Sequence, residues 1–110
     1  MANITISDFE KIDLRIAVVK AVHPHPKSSK MIVLILDAGD REVQVLAGLK
    51  QHYTESDLLG KRIVYVANLE PKVIGGLESN GMVLAAEDGE HRPLMLTTFE
   101  GEMKPGAKIR

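Results

Sequence analysis

Three features of this 110-residue sequence predict an all-β domain built as a five-stranded Greek-key barrel. Five short runs are rich in β-branched, aliphatic and aromatic residues, which suit a pleated, half-buried surface. Clusters of Gly, Pro, Asp and Asn separate them, as tight connections require. A helix-start signal falls between the third and fourth runs. The length suits one domain with a single core, residues 1–110, in which residues 92–110 form an extension beyond the barrel.

The elements follow in order. Ser7, ahead of Asp8, Phe9 and Glu10, predicts the cap of a short helical turn. Leu14 to Val22 (LRIAVVKAV) is the first strand. His23-Pro24-His25-Pro26 begins a loop that runs to Lys30, because each histidine precedes a proline and is driven towards extended geometry. Met31 to Leu36 is the second strand. Asp37-Ala38-Gly39-Asp40 is a hairpin signal, and Arg41 to Leu46 alternates as the third strand, with Val43 and Val45 on the face opposite Glu42 and Gln44. Thr54 and Asp57 have the spacing of a capping box, and Gly60 stands where such a helix would end. Arg62 to Asn68 is the fourth strand and Met82 to Ala86 the fifth. Between them Glu70-Pro71, Gly75-Gly76 and Gly81 predict irregular structure. Pro93 to Phe99 reads as an additional strand. This order, three strands, a helix and two strands, is that of an OB-fold.

Composition narrows the function. The chain has no cysteine, which excludes disulfides and any thiolate metal site and fits a reducing cytoplasm. Its longest apolar run, Met31 to Leu36, is too short to cross a bilayer, and no basic-then-apolar leader opens the sequence. Net charge is −1, yet it is unevenly spread. Residues 15–72 carry nine Lys or Arg against six acids, whereas residues 78–102 carry one Arg against six acids. A basic face beside an acidic tail is therefore expected, since fields are local on the scale of a Debye length of about 10 Å. Phe9, Tyr53, Tyr65 and Phe99 are the only aromatics. So few stacking platforms argue for recognition of a folded RNA by backbone and shape over generic single-strand binding. No nucleophile–base pair, carboxylate dyad or phosphate-cradling glycine loop is present, so neither catalysis nor a cofactor is expected. His23 and His25 lack further ligands nearby, and no metal is expected.

Lys30-Met31, Asp37-Ala38-Gly39, Ala47-Gly48-Leu49, Asn68-Leu69-x-Pro71 and Gly76-x-x-Ser79-x-Gly81-Met82 resemble the tRNA-binding domain family. That family includes the C-terminal appendix of methionyl-tRNA synthetases, stand-alone dimeric tRNA-binding proteins and an export-related chaperone branch. The resemblance spans about residues 7–108 and implies a non-catalytic OB-fold that recognises the general shape of tRNA. It implies RNA contacts by Lys27, Lys30, Asn68, Lys72, Ser79 and Met82. In those contacts the lysines neutralise phosphates, the Ser79 hydroxyl donates to phosphate, and the Met82 thioether packs on ribose or base. Asn68 is expected to reach a 2′-hydroxyl or to tie down the loop that follows it.

The sequence departs from the family pattern where Glu70 replaces a basic residue and where Gly75 stands for Arg or Met, changes that remove positive charge from the loop. The partners implied are tRNA, methionyl-tRNA synthetase and a second copy of the chain, joined through Leu94, Leu96 and Phe99. The alternative, from the chaperone branch, is a module that binds unfolded polypeptide on an exposed apolar groove.

Overall fold

The computed structural model describes residues 2–98 and 100–110. The mostly-β barrel expected from the sequence is what the chain forms. Helix α1 (Ile6–Glu10) precedes strands β1 (Leu14–Pro24), β2 (Ile32–Asp37) and β3 (Glu42–Ala47), helix α2 (Glu55–Leu58) and β4 (Arg62–Val66). Then come β5 (Lys72–Ile74), β6 (Leu77–Ser79), β7 (Met82–Val83), β8 (Ala85–Ala86), β9 (Leu94–Met95) and β10 (Lys108–Ile109). The principal sheet is antiparallel, in the order β3-β2-β1-β4-β7, with β10 also paired to β1.

Strand β1 serves both halves of the curled sheet. Its first residues pair with β4 (Leu14 with Val66) and its last with β2 (Pro24 with Ile32). The register shifts between Val19 and Ala21, a bulge at Lys20 that bends and twists the strand where it changes partner. Two expectations are corrected here. The first strand runs to Pro24 rather than stopping at Val22, because the extended geometry forced before proline is also strand geometry. The cap of α1 is Thr5, whose Oγ1 accepts the Asp8 N–H at 3.0 Å; a cap at Ser7 would leave less than a turn of helix. The expected capping box at α2 forms, with Asp57 Oδ2 accepting the Thr54 N–H at 2.8 Å.

Tyr65, Leu34, Leu36, Leu58, Ile63, Val19 and Val45 are fully buried, and each such side chain contributes roughly 1.5–3 kcal/mol of transfer free energy. Side chains help close the barrel between β3 and the β6–β7 segment. The Leu46 N–H donates to Ser79 Oγ at 3.0 Å, the Asn80 N–H to the Gln44 carbonyl at 2.8 Å, and Gln44 Nε2 to the Glu78 carbonyl at 2.9 Å.

The tail returns to its own barrel. β9 pairs with β8, Met95 joins the core, and Thr97 bridges to Ile63. The regular strand expected from Pro93 to Phe99 is reduced to β9 and this bridge. Leu94 and Leu96 nevertheless stay exposed, at 52% and 39%. Phe99, the third residue expected at a dimer seam, lies outside the described residues.

Candidate nucleic-acid interface

The stretch between the fourth and fifth predicted strands is a hairpin, which corrects the expectation of irregular structure. β5 pairs with β6, Lys72 opposite Ser79 and Ile74 opposite Leu77. Gly75 and Gly76 have φ of +58° and +85°, the positive pair that a two-residue hairpin turn requires. The signal was present as Val-Ile-Gly-Gly-Leu-Glu, glycines flanked by apolar residues.

This hairpin packs against the loop between β1 and β2. His25 is 3% exposed. Its Nδ1 accepts the Lys27 N–H at 2.9 Å, so the ring proton sits on Nε2, which donates to the Ile74 carbonyl at 2.9 Å. An added Cβ at Gly75 would lie 2.6 Å from the imidazole Cε1, so the departure from Arg or Met at this position has a steric reason. Sequence reading missed His25, treating it as half of a metal-poor pair. Among the described residues no group of three or more His, Cys, Asp or Glu is placed to hold a metal ion.

The clasp sets the loop carrying Lys27 and Lys30, both exposed, against the hairpin carrying Lys72. Ser28 shapes that loop, its Oγ accepting the N–H groups of Lys30 and Met31. A further lysine was missed: the Lys50 N–H donates to the Lys30 carbonyl at 3.1 Å. That bond lays a third connection, residues 48–54, beside the β1–β2 loop. Nothing in the spacing of Lys50 from Lys30 announces it, because the contact is tertiary.

Beside the hairpin lies a groove of about 540 Å³, lined by Leu46, Leu69, Glu70, Lys72, Ser79 and Met82 among others. Met82 is 47% exposed, so its thioether faces the groove rather than filling the core. Ser79 is different. It is buried, and its hydroxyl accepts from Leu46 and donates to the Gly81 carbonyl at 3.2 Å. The expected donation to phosphate is therefore corrected: that proton is committed to the loop, and Ser79 holds the groove's shape. Gly81 supports the same turn, where an added Cβ would lie 2.7 Å from the Val66 carbonyl oxygen.

Asn68 is not brought to this groove. Its Oδ1 accepts the Asp13 N–H at 2.9 Å and its Nδ2 donates to the Lys11 carbonyl at 2.6 Å. It pins the segment after α1 instead of the loop following it, and lines a separate groove with Phe9, Asp13 and Lys108. Asp13 itself is held below the ordinary carboxylate range, chiefly by its hydrogen bond from Arg15.

These features define a class first: a small β-barrel module with a groove that Lys72 lines, beside a junction whose other loop carries Lys27 and Lys30. A family model described as "Putative tRNA binding domain" matches residues 14–108, and the chain belongs to that tRNA-binding domain family. It is 49% identical over 106 residues to the methionine–tRNA ligase of Thermotoga maritima, covering 96% of this chain and 16% of that protein. The chain thus spans about one sixth of the length of the curated relatives it matches. A MetRS-related protein from Pyrococcus horikoshii superposes with a TM-score of 0.93 at 29% identity, covering both chains completely. The chaperone CsaA from Bacillus anthracis superposes with a TM-score of 0.87 at 31% identity, covering 99% of this chain and 100% of that one. The family's description is of a tRNA-binding domain.

Proposed function

We propose that this chain binds tRNA by its shape, through the lysine-bearing connections around the hairpin groove, free-standing or in trans to a methionyl-tRNA synthetase in the cytoplasm. The observation that carries this reading is the His25–Ile74 hydrogen bond. It holds the loop bearing Lys27 and Lys30 against the hairpin bearing Lys72, so lysines from two segments remote in sequence flank one junction. Each phosphate they neutralise adds just under one unit to the salt slope of binding. Met82 supplies an apolar contact for ribose or base, and Glu70 tempers the field. Among the described residues no helix is long and apolar enough to cross a membrane.

A homodimer is part of the proposal. Leu94, Leu96 and Met103 are exposed on the tail, and Leu59 is exposed just after α2, at 47%. Pairing across a two-fold axis would cover the exposed tail residues and set two basic faces on one particle, gaining avidity for a single folded RNA.

A second reading rests on the groove itself. Leu46, Leu69, Ile74 and Met82 all line it, and a partly apolar floor suits an unfolded polypeptide as a chaperone-like module would bind it. Gel-shift competition separates the two. Intact tRNAs of different anticodons should compete within a few-fold of one another, with poly-U and unfolded polypeptide competing poorly. Displacement of tRNA by polypeptide at equal concentration would favour the second reading, and equal competition by poly-U would remove the shape argument.

A further inference from the structure

The acidic stretch of residues 78–102 contains a single cation, Arg92, and the fold carries it out of that stretch. Its guanidinium carbon lies 4.6 Å from the centroid of the Tyr53 ring, and its Nη1 donates to the His52 carbonyl at 2.7 Å. Both partners belong to the connection of residues 48–54, which also carries Lys50. The His52 and Tyr53 N–H groups donate to the Leu49 carbonyl at 2.9 and 3.0 Å, so residues 49–53 form a tight turn. One end of that turn is bonded to the Lys30 backbone and the other to Arg92.

Arg92 and Lys61 line a second basin of about 350 Å³ with Tyr53, Ser56, Asp57 and Thr97. Its one carboxylate, Asp57, accepts the Thr54 N–H at 2.8 Å, which commits one of its oxygens to the helix cap. The Tyr53 hydroxyl oxygen accepts the Met95 N–H at 3.1 Å, which fixes the ring beneath the guanidinium. A guanidinium held over an aromatic ring with only its Nη1 engaged keeps donors for contact with phosphate oxygens, and Lys61 adds a point charge.

We propose that the basin of Tyr53, Lys61 and Arg92 is a second phosphate-contact site, joined to the loop site through Lys50. A single RNA backbone is then gripped at both. The proposal rests on the tRNA reading above and extends it to a surface for which the family motifs supplied no residue.

The test is a salt titration of tRNA binding by Arg92→Gln, Lys61→Gln and Lys72→Ala, with thermal melting of each variant. Both glutamine variants should flatten the slope of log K against log salt by about 0.7 to 0.9, as one lost phosphate contact does, while melting like the parent chain. Arg92→Lys should retain the slope. Hydroxyl-radical footprinting should show a shorter protected stretch of tRNA backbone with Arg92→Gln than with the parent. If Lys72→Ala flattens the slope and both glutamine variants leave slope and footprint unchanged, the second site is overturned and the tRNA reading stands. If the parent chain shows no salt-dependent tRNA binding, both fall. Lys61→Gln, at an exposed position, decides the matter should Arg92→Gln fail to fold.

Discussion

The His25 imidazole donates to the Ile74 carbonyl at 2.9 Å, tying the end of the longest strand to the tip of a hairpin 49 residues away. The ring's other nitrogen is occupied by the Lys27 N–H, so both of its polar atoms are used in holding two connections together. A buried ring satisfied on both sides is a rigid spacer. Removing it takes away the two hydrogen bonds, from the Lys27 N–H and to the Ile74 carbonyl, that hold the connections together.

His25→Ala should therefore lower stability by roughly 1–3 kcal/mol, the loss of two hydrogen bonds at about 0.5–1.5 kcal/mol each, and weaken tRNA binding although no charge is lost. Gly75→Ala should do both as well, since its Cβ meets the imidazole at 2.6 Å and its φ is +58°. Urea denaturation and gel shift measure the two effects. Unchanged tRNA affinity in a folded His25→Ala variant would show that the clasp does not position the lysines.

Charge can be tested at the same junction. Lys30→Ala and Lys72→Ala should each flatten the salt slope by about 0.7 to 0.9. Glu70→Lys should tighten binding, because Glu70 lines the groove with Lys72. A slope that neither alanine variant alters would put the RNA elsewhere.

The self-association prediction turns on Leu96, 39% exposed although its backbone is bonded to Leu84 and Val64. Sedimentation equilibrium should give about twice the chain's 12.1 kDa, and Leu96→Glu should dissociate the pair by placing an unpaired charge at the seam. A single-chain mass that holds at tens of micromolar would end the idea.

Acid should destabilise the fold in a defined window. Asp88 is held at about 2, first by the backbone N–H of His91 and next by that of Glu90, both of which it accepts. Asp57 is lowered by its bond from the Thr54 N–H and Asp13 by its bond from Arg15. Because the folded values lie below the unfolded ones, the unfolded chain binds protons first as pH falls. Stability is then fully present above about pH 5 and lost progressively towards about pH 2. Melting temperatures should fall through that window, and Asp88→Asn should shallow the decline. A flat profile between those limits would contradict the assigned hydrogen bonds.

Local chemistry determined much of this protein before any tertiary contact was considered. Five β-branched runs, an Asp-Ala-Gly-Asp turn and the Thr54–Asp57 box each act over a few residues, so strand period, turn and cap are legible in sequence. The mostly-β barrel followed from them, and the family motifs marked Lys72 and Met82, which line the groove. Other signals were legible and misread: Gly75-Gly76 spells a two-residue hairpin, and the residues before Pro24 suit a strand as well as a loop. What no local pattern contains is which connections meet. His25 reaches Ile74, Lys50 bonds to Lys30, Arg92 folds over Tyr53, and Asn68 turns to Lys11 and Asp13 instead of the groove. Ser79 likewise spends its hydroxyl on closing the barrel. These pairings are fixed only when the sheet curls and brings remote groups within hydrogen-bond reach, and at His25 and Ser79 burial then requires the polar atoms to be satisfied.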